Sequence, residues 1–154
     1  MTSSVETALA GLGLALPEAI APVANYVPYV RTGNLLFVSG QISKTTSGAL
    51  VSGKLGEDVD VATGQKAAEL CALNILSQVK AAIGDLDKIV RVVRLNAFVN
   101  SAPAFTDQPQ VVNGASNLFA NVLGDKGKHS RTAVGVAALP LGVAVEIDAI
   151  IEVA

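Results

Sequence analysis

The strongest apolar alternation along the chain runs from Arg131 to Ala154, RTAVGVAALPLGVAVEIDAIIEVA. It predicts two antiparallel strands about a turn at Leu139-Pro140-Leu141-Gly142, with Ala138 opposite Val143. In that register Thr132, Val134 and Val136 face Ala149, Ile147 and Val145 as a β-branched core surface. On the other side Gly135 faces Glu146, Ala133 faces Asp148 and Arg131 faces Ile150. Two carboxylates and a guanidinium then share a face with two very small residues, which leaves room for a ligand. The alternative is an Arg131 that bridges Asp148 or Glu152 diagonally on a wet surface.

Upstream, the apolar spacing switches between helix and strand periods. Ser3 and Glu6 have capping-box spacing, and Val5, Leu9, Leu12 and Leu16 predict a helix over residues 3–16 that stops at Pro17. Gly11 and Gly13 weaken it, so it is expected to form only when docked. After a Pro/Ala-rich loop, residues 26–31 read as an edge strand because of Pro28. Thr32-Gly33-Asn34 reads as a turn, and Leu35 to Ser39 as a second strand closed by Gly40 and Gln41. A polar excursion with a short hairpin covers residues 44–53. Asp58 or Asp60 caps a helix over residues 61–83, striped by Ala68, Cys71, Ile75, Val79 and Ile83 and stopped by Gly84. Ile89 to Val99 reads as a buried valine-rich strand. A further helix starts near Asp107 with Pro109 in its first turn, buries Val112, Ala115, Phe119 and Val122, and ends at Gly124. The order β-β-α-β-α-β-β predicts an α+β fold: one mixed or antiparallel sheet with two helices on one face, plus the N-terminal helix.

Composition narrows this picture. The 154 residues fit one domain, residues 1–154, with residues 1–17 as a helical extension. Apolar residues make up 51% of the chain and charged residues 16%, at a mean hydropathy of +0.50. No apolar run reaches the ~20 residues of a membrane span, so the apolar surplus points to subunit interfaces. A net charge of −2, 4% aromatics and no Trp leave little basis for nucleic-acid binding. One cysteine excludes an intrachain disulfide and a cysteine-built zinc site. The start lacks a basic segment ahead of its apolar residues, so a secretory signal is not expected and the cytoplasm is.

Candidate chemistry is sparse. His129 sits in a polar loop without a partner of catalytic spacing, and Cys71 lies on a helix stripe where a small core residue belongs. Phosphate loops, nucleophile elbows and histidine metal clusters are missing. Arg131 with Glu146 and Asp148 is what remains. An arginine can hold a carboxylate through two parallel hydrogen bonds, and an ionised glutamate can orient or deprotonate water. That pairing suits hydrolysis of a small organic acid.

Asn25-Tyr26, then TGNLLFVSGQ (Thr32–Gln41), RTAVGVAALP (Arg131–Pro140) and VEIDAI (Val145–Ile150) together resemble the reactive-intermediate deaminase family, also called YjgF-like or L-PSP endoribonuclease proteins. The resemblance covers roughly residue 25 to the end. It implies a chorismate-mutase-like α+β fold, a homotrimer with ligand clefts between subunits, and cofactor-free hydrolysis of enamine or imine acids such as 2-aminoacrylate. It assigns carboxylate binding to Arg131 and water positioning to Glu146. Tyr26, Ser39 and Gly40 line the cleft, Asn113 stands near a helix-borne asparagine, and Ala133 offers a backbone carbonyl where many members have cysteine. Gly135 stands where many have glutamate, and the N-terminal helix is an addition to the short members. Metals and cofactors are not implied. Read without the resemblance, Tyr26 can be a packed strand aromatic, Gly40 a backbone requirement and Gln41 a cap. A carboxylate-binding trimer without turnover, or an endoribonuclease, are the alternative functions.

Overall fold

A computed structural model describes residues 2–21 and 24–154. Helix α1 (Ser4–Gly11) starts with the expected capping box. Ser3 Oγ accepts from Glu6 N at 3.1 Å, and the Glu6 carboxylate accepts from Ser3 N at 3.1 Å. It ends at Gly11 instead of running to Leu16. Gly13, at φ 73°, turns the chain out of the helix, and Leu14 N closes on Leu9 O. The helix docks on its own chain: Val5 and Leu9 are buried, and Glu6 pairs with Lys80. Asp87 accepts from Ser4 N, Ser4 Oγ and Val5 N at 2.9, 2.6 and 3.3 Å, so a carboxylate fills the positive end of α1.

Strand β1 (Tyr29–Thr32) is shorter than expected, its first residues forming instead a bend that includes Tyr26. A two-residue turn at Gly33 and Asn34 leads to β2 (Leu35–Ile42). Helix α2 (Val61–Ile83) has Asp60 as its cap, accepting from Thr63 N at 2.8 Å, and Gly84 beyond its end. Strand β3 spans Ile89–Asn100, and α3 (Gln108–Leu123) begins with Pro109 in its first turn. Strands β4 (Ser130–Val136) and β5 (Val145–Val153) follow.

The sheet order is β1-β2-β5-β3-β4, with β3 and β4 parallel and the other neighbours antiparallel. This overturns the hairpin expected at the end of the chain. Strands β4 and β5 run in opposite directions but do not pair, because β3 lies between them. Thr132 and Asp148 both align with Asn96, while Arg131 and Ala149 both align with Leu95. The pairings of Arg131 with Ile150, Ala133 with Asp148 and Gly135 with Glu146 therefore do not exist. The connection from Val136 to Val145 passes over the end of β3, where its carbonyls are taken up. Asn100 N donates to Ala144 O (2.9 Å), Asn100 Nδ2 to Val143 O (3.2 Å), and Lys54 Nζ to Ala137 O (2.6 Å). Those partners satisfy the backbone that a hairpin ladder would otherwise satisfy.

Helices α2 and α3 cover one face of the sheet. Leu36, Leu95, Val99, Ile147 and Ile151 meet Cys71, Ile75, Val79, Val112 and Phe119, all fully buried. Cys71 is a core residue as expected, its thiol donating to Val145 O at 3.4 Å. The opposite face is uncovered in a single chain and exposes Val30, Phe37 and Val134.

Candidate functional site

Strand β2 changes register against β5 between Val38 and Gln41. This irregularity brings Gly40 against Glu146: a Cβ built on Gly40 would stand 2.6 Å from Glu146 Oε2. Ser39 Oγ donates to Val27 O at 2.8 Å and Gln41 Nε2 to Ser39 O at 3.0 Å, which ties down the bend carrying Tyr26. Tyr26, Ser39, Gly40, Gln41 and Glu146 line one cavity of about 640 Å³. So the resemblance's cleft residues on this side of the sheet do come together. Gln41 both caps locally and faces the cavity.

Glu146 is half-buried, and among the described residues no hydrogen bond reaches its carboxylate. Burial, and secondly the neighbouring charge of Asp148, hold its pKa above the ordinary glutamate value. Asp148 itself is engaged by Asn96 Nδ2 at 2.8 Å. The result is an unpartnered carboxylate of raised pKa facing a cavity of ligand size.

Arg131 lies elsewhere. It shares the helix-covered side of the sheet with its neighbour Leu95, and α3 fixes its guanidinium. Nη1 donates to Asn113 Oδ1 (2.9 Å) and Ser116 Oγ (3.0 Å), and Nη2 to Pro109 O (3.2 Å). Neither Asp148 nor Glu152 bridges it, which removes the wet-surface reading. Asn113 thus touches Arg131 directly, and Ala133 follows on the same side of β4, aligned with Ala97. A shallower hollow of about 350 Å³ lies beside Arg131, lined also by Ser116, Asn117 and His129.

His129 is half-buried, not solvated. Its Nδ1 lies 2.6 Å from Gly127 O and its Nε2 2.9 Å from Ser116 Oγ. A carbonyl only accepts, so Nδ1 carries the hydrogen and the neutral ring accepts from the Ser116 hydroxyl. Burial foremost, and the Arg131 charge, hold the His129 pKa below its ordinary value, against the Gly127 contact. Ser116 therefore joins Arg131 to His129. Sequence reading missed Ser116, because its contacts with Arg131 and His129 join separate segments of the chain. Among the described residues no cluster of three or more His, Cys, Asp or Glu could hold a metal ion.

Arg131 and Glu146 therefore sit on opposite sides of one sheet. Within one chain they are separate: an anchored cation beside α3 and an unengaged carboxylate in the β2–β5 cavity.

Comparison with known proteins accords with this fold. The family described as "YjgF/chorismate mutase-like, putative endoribonuclease" matches residues 6–152, and the chain belongs to it. The chain is 54% identical to Protein TCP17 of Trypanosoma cruzi over 142 residues, 92% of this chain and 89% of that one. A crystal structure of a protein of unknown function from Agrobacterium tumefaciens is 56% identical and superposes at a TM-score of 0.93, covering 98% of this chain and 93% of that one. More distantly, it is 26% identical over 141 residues to a 2-iminobutanoate/2-iminopropanoate deaminase of Dermatophagoides farinae, with coverage of 91% and 94%. The family match begins at residue 6, inside α1. Among the described residues no helix is long and apolar enough to cross a membrane.

Proposed function

We propose that the protein is a cytoplasmic homotrimer that hydrolyses small imine and enamine acids, with each site assembled from two subunits. The observation that carries this reading is the Glu146 carboxylate, unpartnered and held above its ordinary pKa in a ligand-sized cavity. The named activity of the distant deaminase relative supports the reaction class. The placement of Arg131 and Glu146 on opposite sides of the sheet supports assembly, because a second copy can bring the arginine of one chain to the glutamate of another; the trimer itself is what the family resemblance implies. The exposed apolar side chains Val30, Phe37 and Val134 supply a face for such a copy to cover.

In this reading, Arg131 of one subunit binds the substrate carboxylate in a site completed by Glu146 of the next. Asn113, Ser116 and Pro109 O hold its guanidinium in one orientation. The imine carbon is attacked by water while Glu146 takes one of the water's protons. The C–O bond forms as the C=N electrons move to nitrogen. Glu146 returns that proton to nitrogen, giving the carbinolamine; it then takes the proton of the new hydroxyl and passes it to the same nitrogen, so that the C–N bond breaks, ammonia leaves and the oxygen becomes the keto oxygen. Imine plus water yields keto acid plus ammonia, without electron transfer. The Ala133 carbonyl is the candidate acceptor for the substrate N–H.

Subunit complementation tests this. Arg131→Ala and Glu146→Gln homotrimers should each lose ammonia release from enzymatically generated 2-aminoacrylate. Co-assembled at equal ratio, they should recover about a quarter of native sites, because the head-to-tail interface of a cyclic trimer pairs one intact arginine with one intact glutamate at that frequency. Glu146→Gln should still bind pyruvate in calorimetry while Arg131→Ala should not. Binding by both native and Glu146→Gln protein without any native turnover would instead identify a carboxylate-binding trimer.

A further inference from the structure

The cavity that holds Glu146 has a second character beyond the site residues. At about 640 Å³ it is far larger than a three-carbon imino acid. Six non-hydrogen atoms at about 30 Å³ each, the liquid volume share of a water molecule, leave most of it empty. Away from Glu146 the lining includes the apolar side chains Ile20, Ile42, Pro140 and Leu141, beside the charged Glu18 and Lys44 and the polar Asn74, Ser77 and Gln78.

Two of these are presented in unusual ways. Ile20 belongs to the segment after α1, and it is 55% exposed although the segment is fastened. Ser77 Oγ donates to Pro17 O at 2.5 Å and Gln78 Nε2 to Ile20 O at 2.9 Å. Ser77 and Gln78 are themselves almost wholly buried, at 5% and 3%. Two buried polar side chains of α2 thus hold residues 17–20 as a wall. Leu141 is the one non-glycine residue at positive φ (61°) among the described residues, and its side chain is 75% exposed. Packing within the chain therefore does not account for a branched residue in the left-handed region, and such residues cluster at ligand sites.

We propose that this cavity selects imino and keto acids bearing a long apolar side chain, with Ile20 and Leu141 as the residues that grip it. The proposal rests on the reading of the Glu146 cavity as the substrate site. The acid group and reacting carbon lie at the Glu146 and Gly40 end, and the side chain extends between the segment 18–21 and the Pro140–Leu141 turn. The extension after α1 is then a wall of the site and sets how long a side chain fits.

Calorimetry on the intact trimer with pyruvate and 4-methyl-2-oxopentanoate tests it. The larger acid should bind at least about tenfold more tightly, given three added carbons at the usual gain per buried methylene. Ile20→Ala and Leu141→Gly should each cut that ratio by about three- to tenfold, in line with the smaller apolar contact left to the side chain. Glycine suits the positive φ, so Leu141→Gly removes the side chain without straining the turn. Equal affinity for the two acids, no binding of either, or an unchanged ratio in both variants would overturn the proposal. Ammonia release from the imines of alanine and leucine, made in place by an amino-acid oxidase, separates the two levels. Selective binding without ammonia from either imine would sink the deaminase reading and leave the selectivity standing. Equal binding with ammonia from both would do the reverse.

Discussion

Gly40 and Glu146 are in such close approach that a single added methyl at position 40 would collide with the Glu146 carboxylate at 2.6 Å. The obstructed atom is the end of a flexible side chain, so the fold can absorb the methyl by turning Glu146 aside. Gly40→Ala should therefore leave the melting temperature within a few degrees of native but reduce kcat by about 10²-fold, the scale of a displaced acid–base group. Steady-state kinetics beside thermal unfolding will check this. A large loss of stability with native kcat would place the role of Gly40 in folding.

Asp148 raises the Glu146 pKa as the second cause after burial. If ionised Glu146 is the base, the acidic limb of kcat/KM lies above the ordinary glutamate range. Asp148→Asn should move that limb downward, though only in part, because burial remains. A pH–rate profile of both proteins measures it, and an unmoved limb would assign the limb to another group.

Ser116 links Arg131 to His129, and removing its hydroxyl takes one acceptor from the guanidinium. Ser116→Ala should weaken pyruvate binding by about three- to tenfold, the worth of one net hydrogen bond, with kcat less affected. The depressed His129 pKa also carries a pH signature. The unfolded chain takes up its proton first, so this part of stability is intact above the unfolded value of roughly 6.5 and is lost as pH falls below it. His129→Gln should flatten the melting temperature over that interval.

Helix α1 is held by carboxylates whose pKa values are depressed. Glu6 is lowered first by its hydrogen bond from Lys80, and Asp87 by those from Ser4. Depressed acids stabilise above their unfolded pKa values and lose that effect as pH falls through the folded ones. Acidification below the ordinary carboxylate range should release α1 before the sheet unfolds. Hydrogen exchange at residues 4–11 would report it, and Asp87→Asn should shift the release to higher pH.

Cys71 should be inert. Burial foremost, and Glu146 secondly, push its thiol well above the ordinary range, so little thiolate exists to react. Iodoacetamide at pH 8 is expected to leave the native protein unmodified and to label it fully after unfolding.

Local signals were legible where one residue sets one boundary. Ser3 with Glu6, Asp60, Pro109, Gly84 and Gly124 all mark the helix ends they suggest. Strand partners were not, because alternation records which residues are buried and not which strand lies alongside. Residues 131–154 have the pattern of a hairpin and the turn residues of one, yet β3 intervenes. That error of partner also moved Arg131 to the wrong face. The shared face of Arg131 and Glu146 depends on a hairpin register that does not form, and the two side chains lie on opposite sides of the sheet. The resemblance brought in Tyr26, Ser39 and Gly40, which periodicity alone could not join to Glu146. Ser116 carried no sequence signal, since its importance comes from α3 passing β4.

The position of β5 at the middle of the sheet has a consequence for biosynthesis. It is the last of the five strands in chain order, so the β1–β2 and β3–β4 pairs emerge from the ribosome with no strand to join them. Both pairs must wait with open inner edges for residues 145–153, and translation at about 5–20 residues per second makes that wait a matter of seconds. Apolar strands with open edges are aggregation-prone. A ribosome stalled before Val145 should hold a chaperone-dependent chain, and one that has released β5 should hold a protease-resistant domain.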